Sequence, residues 1–403
     1  MSIRRLIHSF FSRKIIIFQI FKLVPGTILL LLSLELRAGS FELTSSPAFS
    51  LKLKGSYKNL QFNTRRQSNN DLLEANLNRL RTQWDAKLLK VFSAQVVWDH
   101  ELIFGNYIDS EAFLARQSSQ DVPYGNLEYE FTRSHNVFYG QKFYRVYGDL
   151  DLDFLNIRIG RQKIEWGIMR IFSPGDLFHP LPIFDVEKME RVGSTAANVL
   201  FTPWEGTKIN AVYAFDQAQD RSRIAGRVTK TLGHFDVSAF GGKFLRDHIA
   251  GFDFTGDLLK AGVRGEFYFN DADLGNNFIQ ASTGIDYGFT NTLYVAVEYF
   301  YNGQGTNNAL TAPLLLTSAA QIRSIHKNFS GVQLKYDLTP LWTASFMTIA
   351  DLNGGSFFIN PETKYSFKEW LDVTAGAHFP IGQSSGEFTA VPNLYYLQTQ
   401  IFF

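Results

Sequence analysis

What most constrains this chain is an alternation of apolar and polar residues with a period of two. It recurs in runs of roughly ten residues along the sequence. Leu371, Val373, Ala375, Ala377 and Phe379 form one such face, with Asp372, Thr374 and His378 between them. The last run has Tyr395, Leu397, Thr399, Ile401 and Phe403 on one face, and Gln398 and Gln400 on the other. Each run reads as a strand with one greasy side. An isolated amphipathic strand at a chain end leaves an unpaired edge, which invites aggregation. The edge disappears if the last strand pairs with the first and closes a barrel. Mean hydropathy is only -0.09, which excludes a bundle of apolar helices. A membrane barrel keeps its hydrophobicity in alternate positions, so its mean stays unremarkable.

The terminal run resembles the C-terminal assembly signal of bacterial outer-membrane β-barrels. That resemblance implies handling by the barrel-assembly machinery, with Tyr395, Leu397, Thr399, Ile401 and Phe403 as the signal. The 403 residues suffice for one large barrel, and there is no cysteine. Disulfides, a thiolate nucleophile, zinc-thiolate sites and a lipoprotein anchor are thereby excluded. The formal charge of +1 includes a basic leader. Arg4, Arg5, Arg13, Lys14 and Lys22 precede the short apolar run 27–34, and Ala38 offers a small residue for cleavage. Residues 1–38 read as a secretory signal peptide, 39–48 as a short periplasmic lead-in, and 49–403 as the barrel. Without the leader the chain carries a mild net negative charge, and nothing marks it as a nucleic-acid binder.

Alternation and turn residues place strands near 49–58, 76–84, 88–98, 139–150, 154–165, 194–202, 206–216, 222–231 and 235–245. More follow near 249–257, 261–270, 278–288, 292–301, 329–337, 341–350, 356–366, 370–380 and 394–403. The fold class is therefore all-β, a transmembrane antiparallel barrel of about 18 strands, with 16 as the alternative. An even count puts both termini in the periplasm. The separation of 249–257 from 261–270 rests on that parity more than on local pattern. Tight turns at 202–206, 232–234, 290–291 and 338–341 belong on the periplasmic side. The long connectors 99–138, 166–193 and 302–328 belong outside.

A charge on the lipid face costs ~2–4 kcal/mol at the midplane, so the alternate charged positions should face a lumen. They include Lys52, Lys54, Arg79, Arg81, Arg145, Asp149, Arg158, Arg223, Arg227, Arg264, Glu266 and Glu298. Basic residues weigh on the early strands and acids on the late ones. Such a wall either concentrates anions or consists of ion pairs that stiffen it.

The stretch Arg158-Ile-Gly-Arg-Gln-Lys-Ile-Glu-Trp-Gly167 leads into Ser173-Pro-Gly-Asp-Leu-Phe-His-Pro-Leu-Pro182 and on to Arg191. It resembles the Gly-Arg-Gln…Trp-Gly…Pro-x-Asp-Leu-Phe-x-Pro run of porin-like Gram-negative barrels, including alginate-export-type proteins. The resemblance covers some 35 residues. From Ile157 and Ile159, strict alternation would aim Arg161 at lipid, so a bulge near Gly160 or an early exit of the strand is expected. The segment is expected to fold into the pore, with Arg158, Arg161, Lys163, Glu165 and Arg191 at a constriction. Arg145, Arg223, Arg227, Arg264 and Glu266 would line the rest of the pore.

No histidine stands at metal-ligand spacing and no nucleophile-base trio falls in register. Hence no catalytic, metal or cofactor site is expected, and no enzyme. The first functional reading is an outer-membrane channel for small hydrophilic, anionic solutes, monomeric or a homotrimer. Two others stay open: an export or anchoring barrel for an acidic polysaccharide, which the alginate-export resemblance implies, and a structural or adhesin-like barrel.

Overall fold

The computed structural model describes residues 41–46, 48–66, 69–118, 125, 127–179, 193–216, 222–306, 316–318 and 321–403. The expected signal segment 1–38 and Arg191 lie outside them. The strands, in chain order, are β1 (Phe41–Ser45), β2 (Phe49–Arg65), β3 (Leu72–Leu88), β4 (Phe92–Phe104), β5 (Glu128–Arg133), β6 (Val137–Leu152) and β7 (Leu155–Gln162). Next come β8 (Ser194–Phe201), β9 (Thr207–Ala214), β10 (Arg223–Leu232), β11 (Phe235–Phe244), β12 (Asp247–Leu258), β13 (Ala261–Asp271), β14 (Phe278–Gly288) and β15 (Leu293–Asn302). The last are β16 (Leu316–Ser318), β17 (Gln321–Arg323), β18 (Asn328–Thr339), β19 (Trp342–Asp351), β20 (Ser356–Lys368), β21 (Leu371–Gly382) and β22 (Leu394–Phe402). Among the described residues a helix, α1 (Glu111–Ser118), follows a 3₁₀ turn at Asn106–Asp109.

Twenty strands share one antiparallel sheet, and β16 and β17 form a small separate ribbon. Two of the twenty, β1 and β5, are short pieces set against β2 and β6. The other eighteen form the wall. It closes where β22 pairs with β2, with Thr64 opposite Leu394 and Tyr57 opposite Ile401. Closure gives every wall strand two neighbours, so its backbone groups are satisfied without water. The sixteen-strand alternative is not needed. The disputed pair β12 and β13 is real, joined by a tight turn in which Leu259 and Lys260 take φ of 51° and 72°.

Side-chain alternation sets which face is which. On β9, Val212 is 2% exposed and Tyr213 40%. On β15, Ala296, Glu298 and Phe300 are buried, and Val297 and Tyr299 face out. Trp84, Tyr336 and Trp342 ring the end that carries the tight turns; Tyr395 and Phe357 stand at the other. Amphipathic rings at both ends of an apolar band suit two water interfaces.

Two expectations need correction. Strands β2 and β3 run seventeen residues each, well beyond the expected 49–58 and 76–84. Strand β4 continues to Phe104, so Asp99 and Glu101 belong to the wall, not to a loop. They pair with Arg79 and Arg81 at 2.6 Å, making this part of the wall more balanced in charge than expected. Within the lead-in 39–48, Phe41–Ser45 is itself a strand, set against β2 with Phe41 opposite Leu53.

The closing residue has its own socket. Gly55 N–H donates to Phe403 O at 2.7 Å, and Phe403 N–H returns the bond to Gly55 O at 2.9 Å. A Cβ on Gly55 would sit 2.1 Å from the Phe403 ring. Gly55→Ile is therefore expected to cost about 1–3 kcal/mol of barrel stability, measured by urea unfolding in detergent. Gly148→Ala, whose Cβ would meet Phe92 at an ordinary 3.5 Å, should cost less.

Candidate functional site

The lumen is not an empty cylinder. Ile108 and Phe113, from the long loop after β4, turn inward. They pack on Leu60, Phe62, Leu77, Ile103 and Phe138, inner-face residues of β2, β3, β4 and β6. The larger intrusion is the segment 163–179, the middle of the Gly-Arg-Gln…Trp-Gly motif.

Strand β7 ends early, at Gln162. Its register with β6 and β8 contains no bulge, so the early exit is the form the irregularity takes. Gly160 holds φ 124°, and a Cβ there would lie 2.2 Å from Val146 O. Only glycine fits such a contact in that backbone region. Arg161 then occupies an outward register position but is 1% exposed. Its guanidinium donates to Phe143 O and Gly125 O, both at 3.1 Å. Gly125, just before β5, thus helps cover a charge that lipid would not accept.

The segment runs along the inner wall and returns. Trp166 Nε1 donates to Asn210 Oδ1 on β9 at 2.9 Å. Two glutamates expected to line the pore fix the next stretch. Glu266 on β13 accepts from the N–H of Ile168 at 2.5 Å, Met169 at 3.2 Å and Gly175 at 2.7 Å, and from Ser173 Oγ at 2.8 Å. Glu298 on β15 accepts from the N–H of Arg170, Ile171 and Phe172 at 2.6, 2.9 and 3.0 Å. Phe172 stacks on Phe300 with ring centres 5.1 Å apart, and the chain turns back at Ser173–Gly175. Phe178 returns to Trp166 and Phe244. The outgoing and returning limbs touch at Gly167, where a Cβ would lie 2.0 Å from Ser173 Oγ. The glycines of the motif are thus close-approach positions of a hairpin folded into the barrel.

Three arginines of the expected pore lining serve this hairpin. Arg223 donates to Phe178 O at 3.4 Å, and Arg227 to Trp166 O at 2.8 Å and to Asp253 at 2.8 Å. Arg264 donates to Ile168 O at 2.9 Å and pairs with Asp286. Lys163 and Glu165 pair with each other at the segment's start. On the wall away from the hairpin, Arg158 pairs with Asp149 at 3.0 Å and lies over the Tyr147 ring. Arg145 lies over Tyr144, with 4.7 Å from its guanidinium carbon to the ring centre.

The hairpin also carries a cation that no sequence motif marks. Arg170 is exposed on the hairpin, 5.9 Å from the Tyr294 ring centre, and makes no ion pair among the described residues. It borders a cavity of about 480 Å³ with Arg264, Asp286, Lys260 and His234. No residue type near it signalled this, because its position depends on Glu298, far away in sequence.

At the mouth opposite the termini, a buried polar cluster ties loops together. His326 Nδ1 and Asp351 Oδ2 are 2.8 Å apart, and Glu387 N–H donates to the same oxygen at 2.9 Å. Glu387 in turn accepts from Ile325 N–H at 2.8 Å. Burial pushes the Glu387 carboxyl up to about 7, the amides of Ile325 and His326 pull against that, and nearby Asp351 adds to it. Because the folded value lies above the unfolded one, the contribution to docking is whole below the ordinary carboxylate range. It is lost as pH rises through about 7. Hydrogen exchange at Ile325 and His326, corrected for intrinsic rate, should report opening that grows by up to about tenfold per pH unit from the ordinary carboxylate range up to about 7 and levels off above it. Glu387→Gln should flatten that slope.

A closed eighteen-strand wall with aromatic ends and an inward-folded hairpin defines an outer-membrane-type β-barrel. More particularly, its fold is that of the OprD and Occ barrels. Acinetobacter baumannii OccAB2 superimposes with a TM-score of 0.58 at 8% identity, over 88% of this chain and 98% of that one. Pseudomonas aeruginosa OpdK, in a structure with vanillate, gives 0.55 at 10% over 88% and 98%. Pseudomonas aeruginosa OprD gives 0.54 at 10% over 91% and 99%. No family model matches the chain, and no curated protein does.

Proposed function

We propose that this protein is an outer-membrane diffusion channel for small hydrophilic solutes, with a preference for anions. The observation that carries the proposal is the one-sided seating of the hairpin. Glu266 and Glu298 hold segment 163–179 against one part of the wall. The inner face of β2–β7, with Lys52, Lys54, Arg81, Arg145 and Arg158, lies away from it. The passage runs between the two, and Arg170 stands beside it. Water-filled and lined by cations, it would raise the local concentration of anions and steer them. Ion pairs with Asp85, Asp99 and Asp149 temper that field, while Lys52 and Arg170 form no ion pair among the described residues. The OpdK structure contains vanillate, a small aromatic carboxylate, which agrees in charge with the solute class proposed.

Export of an acidic polysaccharide calls for a wide basic lumen. The inward apolar packing of Ile108, Phe113, Phe172 and Phe178 argues against it. Liposome swelling tests the proposal. Proteoliposomes should admit a small carboxylate several-fold faster than an amine of equal size. Equal rates, or no swelling with a folded barrel, would count against it.

A further inference from the structure

The outer wall is apolar around most of its girth, but not over β2, β3, β4 and β6. Counting along β2 from its periplasmic end, Leu53 lies level with Trp84 of the aromatic ring. An apolar band about 25 Å tall spans roughly ten residues of a tilted strand. The outward residues Tyr57, Asn59 and Gln61 therefore stand inside the band. Their partners across the β22 seam are Ile401, Thr399 and Leu397, ordinary lipid-facing residues. Across β3 lie Asn78 and Asn76 in the same register. On β4, His100 stands opposite Leu80, level with Tyr57, and Gln141 of β6 stands opposite His100.

These side chains make a ladder along the membrane face. Tyr57 donates to Asn78 Oδ1 at 2.6 Å, and Asn59 Nδ2 reaches Asn76 and Asn78 at 3.0 and 2.9 Å. Gln141 Nε2 meets His100 Nδ1 and Tyr139 Oη, each at 3.0 Å. The ladder uses only part of its capacity, since Gln61 makes no side-chain hydrogen bond among the described residues. Lipid tails offer such groups nothing, and an unmatched polar group in hydrocarbon costs several kcal/mol. At the same depth on the far side, Ile224, Val228 and Tyr213 present an ordinary greasy face.

We propose that this amide ladder is an interface between two copies of the chain within the membrane. Two properties select a second copy as the occupant. Amides donate and accept equally, so a patch of them is complementary to itself across a two-fold axis. The ladder also carries no Lys, Arg, Asp or Glu, so two copies meet without like-charge repulsion. The proposal rests on the membrane-spanning reading and is independent of what the pore passes.

The absence of cysteine makes the test clean. Gln61→Cys and, as control, Val228→Cys would each be expressed as the full chain in outer membranes and treated with a short bismaleimide. Covalent dimer should form at Gln61→Cys and be at least several-fold scarcer at Val228→Cys. The triple variant Asn59→Leu, Asn78→Leu, His100→Leu should run as a heat-modifiable folded barrel with single-chain mass by light scattering in mild detergent. No dimer at Gln61→Cys, equal dimer at both sites, or a triple variant that stays dimeric would overturn the proposal. So would a wild-type single-chain particle carrying bound lipopolysaccharide on this face. A folded, conducting monomer would sink the interface and leave the channel reading standing.

Discussion

Replacing both Glu266 and Glu298 with alanine is expected to make the channel unsteady and to raise its mean conductance at least about two-fold. The two carboxylates accept from six backbone N–H groups and one hydroxyl of a segment that has no regular secondary structure of its own. Each orphaned buried amide costs ~1–3 kcal/mol. That loss is comparable to what the segment's buried apolar anchors, Trp166, Phe172 and Phe178 among them, contribute, so the hairpin should leave the wall part of the time and fluctuate across the lumen. Glutamine at either site keeps one accepting oxygen and should fall between wild type and alanine. Single-channel recording in a planar bilayer reads the effect directly. A quiet double-alanine channel of unchanged conductance would mean that the hairpin does not bound the passage.

The second large effect is on selectivity. Arg170→Glu is expected to move the reversal potential in a tenfold salt gradient by roughly 20–30 mV toward cations. Its guanidinium is exposed on the hairpin and unpaired among the described residues, so reversal changes the local charge by two with little packing at stake. Arg227→Glu is the instructive contrast. Arg227 is held by Asp253, Ser238 and Trp166 O. Reversing it should chiefly lower barrel stability, because Asp253 is left buried beside a like charge.

The wall was legible in the sequence because a membrane barrel obeys a two-residue period that any inward charge reinforces. Lys52, Arg79, Glu266 and Glu298 could be assigned to the inner face on that ground alone. What those inner residues do was not legible. Glu266 looked like pore lining, yet it is spent on the amides of residues almost a hundred positions earlier. Nothing in local pattern encodes that distance. The same blindness hid Asp99 and Glu101. The sequence pattern predicts a connector where β4 continues, and a connector gives Arg79 and Arg81 no wall partners. Arg161 failed differently. Alternation predicts the conflict with lipid, but the register runs unbroken through Gly160, and the contact that covers Arg161 comes from Gly125, which has no sequence signature. The inward turn of Ile108 and Phe113 was missed because a long polar connector hides a few apolar residues that need a core.

The most direct test of the central claim is single-channel conductance of the folded chain in a planar bilayer under a salt gradient. The account predicts stable openings with a reversal potential of the sign for anion preference. A folded, inserted barrel that stays silent, or that conducts with cation preference, would contradict it.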